Sequence, residues 1–250
     1  MRRLAPTLSL YARIWRTYRE WARSLLPLAV VVFVPIGLIH ALPVHADLNS
    51  IDLDGGIEVF LLATAVMALA GAGLIGEVFY AGAVSIALTR RQGEGAPSLR
   101  GMARRISYGR LIAIDLLFVA VVAIGLALLL VPGLLAFVYL GLVAPVIEIE
   151  GRTVRGSLKR SFELVRGHFW LVAAVLIPIE VGGDAISFFA AELAHGALGG
   201  SLFAAWAADT ISNVAVTPFY AVAVVLLTVD LIADRDGTRR RLNPESLPAS

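Results

Sequence analysis

The cations of this chain are confined to four stretches, and that confinement limits what it can fold into more than any other feature. Six lie before position 24 (Arg2, Arg3, Arg13, Arg16, Arg19, Arg23), six fall between Arg90 and Arg110, five run from Arg152 to Arg166, and the last four are Arg235, Arg239, Arg240 and Arg241. Together they are all 21 of the Lys and Arg residues. Three long apolar blocks separate them, at about 24–89, 111–151 and 167–234. Each has room for two crossings of a hydrocarbon core that takes about 20 helical residues. Each also breaks near its middle: at Pro43 to Gly56 with Asp47, Asp52 and Asp54, at Pro132-Gly133, and at Gly196 to Ser201. None of these breaks contains a Lys or Arg.

Composition agrees with a membrane solvent. Apolar residues are 58% of the 250 and charged ones 16%, where a soluble domain carries about 25% charged. A soluble body of this size has too little interior to hide so much apolar surface. Disorder and collagen-like repeats are excluded, and with no Cys so is a disulfide scaffold. Three hairpins with every cation on one side is the pattern of six spans with both termini cytoplasmic. The expected fold is therefore all-α, a polytopic membrane helical bundle with six transmembrane helices arranged as three hairpins. The spans fall at about 24–42, 57–89, 110–131, 133–150, 167–190 and 202–234, within a single domain 1–236. The polar, Pro-containing tail 237–250 reads as disordered.

Each hairpin is expected to follow a cytoplasmic amphipathic helix. Before the first span, Leu8, Tyr11, Trp15, Tyr18 and Ala22 recur at three- and four-residue steps, with Arg13, Arg16 and Arg23 on other faces. This suits an interfacial helix at 7–23 lying on the cytoplasmic leaflet. Ser98-Leu99-Arg100-Gly101-Met102-Ala103-Arg104-Arg105 and Thr153-Val154-Arg155-Gly156-Ser157-Leu158-Lys159-Arg160 share a hydroxyl–apolar–Arg–Gly–x–x–basic–Arg pattern 55 residues apart, from 98 to 153. Either a repeated unit or the ordinary look of juxtamembrane segments accounts for it. Basic residues beside aromatics also occur in nucleic-acid-binding proteins. Here they flank hydrophobic spans, so membrane lipids with anionic headgroups are the expected partners and nucleic acid is not. Arg100, Arg104, Arg155, Lys159 and Arg160 are the candidate headgroup contacts. Val44-His45-Ala46 has the small residues of a signal-peptidase site. The basic segment before the span is long and amphipathic, unlike a signal peptide's, so an uncleaved anchor is expected.

Two segments carry a family resemblance. One runs from Val131-Pro132-Gly133 through Ala144-Pro145-Val146-Ile147-Glu148-Ile149-Glu150-Gly151 into Ser157-Leu158-Lys159-Arg160-Ser161-Phe162-Glu163-Leu164-Val165-Arg166-Gly167-His168-Phe169-Trp170. The other is Thr217-Pro218 leading to Val229-Asp230-Leu231-Ile232-Ala233-Asp234-Arg235-Asp236-Gly237. Together they resemble the six-span membrane domain attached to some bacterial glycerophosphoryl diester phosphodiesterases, and its stand-alone uncharacterised relatives. The resemblance implies six membrane helices with amphipathic connectors. It does not imply the hydrolase activity, which in those proteins belongs to a separate soluble barrel.

Enzymatic motifs are lacking. Gly71-Ala72-Gly73-Leu74-Ile75-Gly76 is formally a G-x-G-x-x-G, but a dinucleotide fingerprint follows a strand in a soluble βαβ unit. Within an apolar segment, and with Ala68, Ala72 and Gly76 four residues apart, it reads as a helix-packing face. His40, His45, His168 and His195 have no ligand spacing, and no nucleophile elbow appears. No metal, no cofactor and no enzyme activity is expected.

The sharp feature is the set of acids within spans that hold no Lys or Arg. A candidate intramembrane polar site comprises Glu77, Glu180, Asp184, Asp209 and Asn213. Glu180/Asp184 and Asp209/Asn213 are each i,i+4 pairs on one helix face. An acid in mid-membrane costs on the order of 2.5–3.5 kcal/mol and should face protein or water. Plainer readings exist for several. Asp184 follows Gly182-Gly183 and would cap a short outer helix from Ala185 to His195. Asp115 lies about one turn past Arg110, within snorkelling distance of the cytoplasmic interface. Pro35, Pro145, Pro178 and Pro218 should kink their spans or free a carbonyl.

Arg outnumbers Lys 20 to 1, as a GC-rich bacterial genome would give. The expected protein is a non-enzymatic, multi-pass protein of a bacterial cytoplasmic membrane, a lipid-contacting or accessory module. The alternative is a small transporter or lipid-moving protein with an acidic intramembrane path.

Overall fold

The computed structural model describes residues 7–44, 76–89, 101, 104–128, 130–199 and 201–242. Among them there is no strand, and eight helices follow in chain order. These are α1 (Thr7–Val44), α2 (Glu77–Leu88), α3 (Tyr108–Leu128), α4 (Leu130–Leu140), α5 (Val143–Glu150), α6 (Val154–Arg166), α7 (Phe169–Leu198) and α8 (Leu202–Leu242). Five stretches are long and apolar enough to cross a membrane: Leu8–Leu38, Tyr108–Gly125, Val131–Glu150, Phe169–Leu198 and Leu202–Gly237. Of the span expected at 57–89, the described part begins at Gly76 and holds the twelve-residue apolar helix α2.

α1 has 38 residues and α8 has 41. At 1.5 Å per residue they are about 57 and 62 Å long, well beyond a hydrocarbon core of about 30 Å. The segment 7–23, expected to lie on the leaflet as a separate helix, is instead the first half of α1 and continuous with its span. The reason is tertiary. α1 runs antiparallel along α8, with Arg13 paired to Asp230 and the rings of Trp15 and Tyr18 6.3 and 6.0 Å from Phe219. Further along, Trp206 Nε1 donates to Val34 O at 3.0 Å. Leu10, Ile14, Leu25, Ala29 and Phe33 form the buried stripe of α1, while Trp15 stays 53% exposed.

The span expected at 133–150 is interrupted. α4 ends at Leu140 and α5 starts at Val143, which places Pro145 third in α5. That position has a free N–H in any helix, so the proline removes a donor that had no helical acceptor. Pro178 and Pro218, by contrast, lie inside uninterrupted helices. α3 and α4 meet backbone to backbone, since a Cβ on Gly125 would stand 2.8 Å from the Gly133 Cα. α7 turns back through Gly199 (φ 69°) and packs on α8. α8 continues past Asp236 to Leu242, so the expected tail begins as helix; residues 243–250 lie outside the described residues.

Candidate functional site

Two polar assemblies stand out, one at an end of the bundle and one within its apolar middle. The first is organised by α6. Thr153 caps this helix, its side chain accepting from Gly156 N at 3.3 Å. Ser157, Arg160, Ser161, Leu164 and Val165 face inward. Arg155, Lys159, Phe162 and Arg166, at four- and three-residue steps, form the exposed face.

Arg160, expected among the headgroup contacts, is only 4% exposed. Its Nε lies 3.0 Å from Glu150 and its Nη2 3.4 Å from Asp236. As the seventh residue of α6, turned inward by the helical period, Arg160 serves packing, not the leaflet. Arg155, Lys159 and Arg104 are exposed as expected; Arg100 lies outside the described residues. Arg110 Nη1 donates to Gly151 O and Arg152 O, both at 3.5 Å. Arg235 pairs with Glu163 at 3.3 Å, and Arg13 with Asp230. These links gather the start of α1, the start of α3, α6 and the end of α8 at a single basic end. Trp170, 82% exposed, and Phe162, whose ring stacks on Tyr139 at 4.6 Å, add aromatic surface beside the cations.

The second assembly surrounds a helix start. Gly76 has φ 93°, a left-handed conformation that glycine adopts without penalty, and α2 begins at the next residue. Of the G-x-G-x-x-G segment only this glycine is described, and it marks a break where the sequence suggested an unbroken packing face. Asp115 Oδ2 accepts from Gly76 N at 2.9 Å. The Asp115 side chain is buried, the residue 5% exposed, rather than reaching back to the interface. Among the described residues its Oδ1 has no hydrogen-bond partner, while the Val78 N–H also faces the carboxylate.

Glu77 stands within electrostatic reach of Glu180, Asp184 and Asp115, and the buried Tyr220 within reach of Glu180 and Glu77. Exposure falls from Asp184, which is open, through the half-buried Glu180 and Glu77, to Asp115. Counting 1.5 Å per residue from Trp170, Glu180 lies about 15 Å and Asp184 about 21 Å along α7, deep within a 30 Å core. α7 runs unbroken through Gly182-Gly183, so Asp184 caps no helix.

Asp209 and Asn213 lie on α8, toward α1. A Cβ on Gly37 would come 3.0 Å from Asp209 Oδ2, which puts that carboxylate against α1, and Asn213 Nδ2 donates to Asp209 O at 3.1 Å within α8. Asp115 is the member that sequence reading set aside. The signal available was an acid in one span and a glycine-rich break in the preceding one, with nothing local to join them.

Among the described residues, no three or more His, Asp or Glu side chains are arranged to hold a metal ion. His195 is exposed near the far end of α7, and His168 Nε2 lies 3.7 Å from Asp234. No family model, curated protein or solved structure matches the chain.

Proposed function

We propose that this protein is a non-enzymatic, six-span module of a bacterial cytoplasmic membrane, with its basic end and both termini in the cytoplasm, and that it acts by contacting anionic lipid headgroups. The observation that carries the reading is the outer face of α6, where Arg155, Lys159 and Arg166 flank Phe162 and, among the described residues, none of these cations has a carboxylate partner. Unpaired cations beside an exposed aromatic ring are the surface that a negatively charged leaflet attracts, at about 1 kcal/mol per cation near the membrane. Arg104, Arg105 and Arg152 add exposed cations nearby. The resemblance to the membrane domain of glycerophosphoryl diester phosphodiesterases supports the architecture, and its two quoted segments meet where Arg235 pairs with Glu163.

The test is reconstitution in nanodiscs of zwitterionic lipid with and without anionic lipid. Enrichment of anionic lipid around the protein, lost at high salt and in Arg155→Gln/Lys159→Gln, supports the reading. Equal enrichment in the double variant removes its basis.

One observation favours a second reading, a small transporter. A buried Asp115 oxygen without a hydrogen-bond partner among the described residues, at the closed end of a graded row of acids, is what an intramembrane cation or proton path needs at its deepest point. Proteoliposome flux abolished by Glu77→Gln, with the fold retained, would support it; flux indistinguishable from empty vesicles would dismiss it.

A further inference from the structure

Beside the basic end, a cleft of about 650 Å³ opens between the α6–α7 turn and α8. That is within the usual range for ligand pockets, about 300–1,000 Å³. Its floor is apolar, made by Leu164 and Leu231, both nearly fully buried, and the exposed ring of Phe162 stands at its rim. The remaining lining is charged in both senses: Arg166, His168 and Arg235 against Glu163 and Asp234. Two guanidinium groups thus face two carboxylates across the cleft.

That balance selects a ligand. An anion alone would be drawn to the guanidinium groups but repelled by two carboxylates, and a cation alone would meet the reverse. A zwitterion whose charges are a few ångströms apart satisfies both. The ion pairs already present leave room for this, because Arg235–Glu163 is 3.3 Å and His168–Asp234 is 3.7 Å, with each of the four side chains about 30% exposed. Arg166 is exposed and has no ion-pair partner among the described residues. The first N–H groups of the 30-residue helix α7 emerge at the same turn, and its cap residue His168 makes no side-chain capping bond. A phosphate is thus offered a guanidinium and a helix start. Asp234 on α8 and Glu163 on α6 offer carboxylates, which accept hydrogen bonds from a primary ammonium but gain none from a quaternary one.

We propose that this cleft binds a phosphoethanolamine headgroup, its phosphate at Arg166 and the start of α7, its ammonium at Asp234 and Glu163. The lipid-borne form is the occupant, since Trp170, two residues beyond the cleft and 82% exposed, marks the level at which headgroups meet acyl chains. The inference rests on the lipid-contacting reading insofar as the basic end faces a leaflet. It assigns a distinct site and a distinct headgroup.

The experiment is native mass spectrometry of the full chain released from nanodiscs of equimolar phosphatidylethanolamine, phosphatidylcholine and phosphatidylglycerol. The expected result is one phosphatidylethanolamine retained in preference to phosphatidylcholine. The preference should fall about tenfold in Asp234→Asn, whereas Arg166→Gln, which removes a contact to the phosphate both zwitterionic lipids share, should lower phosphatidylethanolamine retention itself about tenfold, the effect of losing one charge-assisted contact. Asp234 packs at an interhelical junction, so if Asp234→Asn fails to fold, the surface variant Arg166→Gln decides alone. Equal retention of the two zwitterionic lipids, or phosphatidylethanolamine retention unmoved by Arg166→Gln, overturns the proposal. Displacement by millimolar free phosphoethanolamine would overturn the lipid as occupant in favour of a soluble ligand, and resistance to it supports the lipid. Anionic-lipid enrichment that persists without any phosphatidylethanolamine preference sinks the cleft alone. A preference that persists without anionic enrichment sinks the α6 reading and leaves the cleft.

Discussion

The Tyr11 hydroxyl donates a 3.0 Å hydrogen bond to the carbonyl of Ala174, the group that Pro178, four residues on in α7, leaves without its helical donor. A proline inside a helix removes one i to i−4 bond and forces its acceptor to find another partner. Within a membrane that partner must come from protein, because lipid supplies none. Tyr11 also reaches Val175 O at 3.2 Å, so one hydroxyl serves the opened turn. The bond joins the first turns of α1 to the second turn of α7, which is part of why residues 7–23 stand in the bundle and not on the leaflet.

Tyr11→Phe should therefore destabilise the protein by about 1 kcal/mol, the usual size for a hydrogen bond whose loss strands a carbonyl. Pro178→Ala restores an N–H for Ala174 O. In the Pro178→Ala background the cost of Tyr11→Phe should shrink toward zero, a coupling that a thermal-unfolding double-mutant cycle reads directly. An unchanged cost would mean that Tyr11 stabilises through its ring alone.

Gly76 is held in its left-handed conformation by position and by partner. An added Cβ would meet Ile36 Cδ1 at 2.5 Å, and an alanine at φ 93° carries roughly 1–2 kcal/mol of strain besides. Gly76→Ala should lower the melting temperature more than Gly109→Ala, where a Cβ meets nothing within 4 Å. Asp115→Ala should cost about 1–3 kcal/mol by leaving the buried Gly76 N–H unpaired. Asp115→Asn keeps a carbonyl acceptor and should cost less. Equal losses from the two would show that the acceptor is not what matters at this position.

What could be read from the sequence, and what could not, follows from the range of the forces involved. Apolar length and cation placement are local properties of the chain, so the helices and the single basic end were legible. The amphipathic character of α6 was legible too, though not that Thr153 caps it. The burial of Arg160 was not, because its partners Glu150 and Asp236 lie on other elements, and a period alone does not say which basic residue turns inward. Asp115 failed for the same reason: its role is set by Gly76, in another span. Asp184 was misread because a Gly-Gly pair was taken as a helix end, whereas packing of α7 on α8, with Gly183 against Val216, carries the helix through.

Buried and exposed cations of α6 should separate cleanly. Arg160→Gln removes one partner of a buried pair, a change that typically costs about 3–5 kcal/mol. Because the Asp236 side chain is 52% exposed and rehydrates, the lower end is expected. Arg155→Gln/Lys159→Gln should leave the unfolding free energy within about 0.5 kcal/mol of the parent while reducing anionic-lipid enrichment and its salt dependence. If the surface pair proves as destabilising as Arg160→Gln, its two cations are structural and the headgroup reading loses its support.

Topology can be tested by parity. The Arg13–Asp230 pair brings the beginning of α1 and the inner part of α8 to one side, and a chain whose ends share a side crosses its membrane an even number of times. Five crossing-length stretches are described, and the six-span reading proposed above adds one in the expected span that contains α2. The chain has no Cys, which allows single cysteines to be placed without background. Arg155→Cys and Gly237→Cys should both react with a membrane-impermeant maleimide only after the cytoplasmic face is opened. Glu192→Cys lies about 33 Å along α7 from Trp170 at 1.5 Å per residue, farther than the hydrocarbon core is thick, and should react from outside in intact cells. Labelling of Arg155→Cys and Glu192→Cys from the same side would break the six-span reading, because α7 would then not cross.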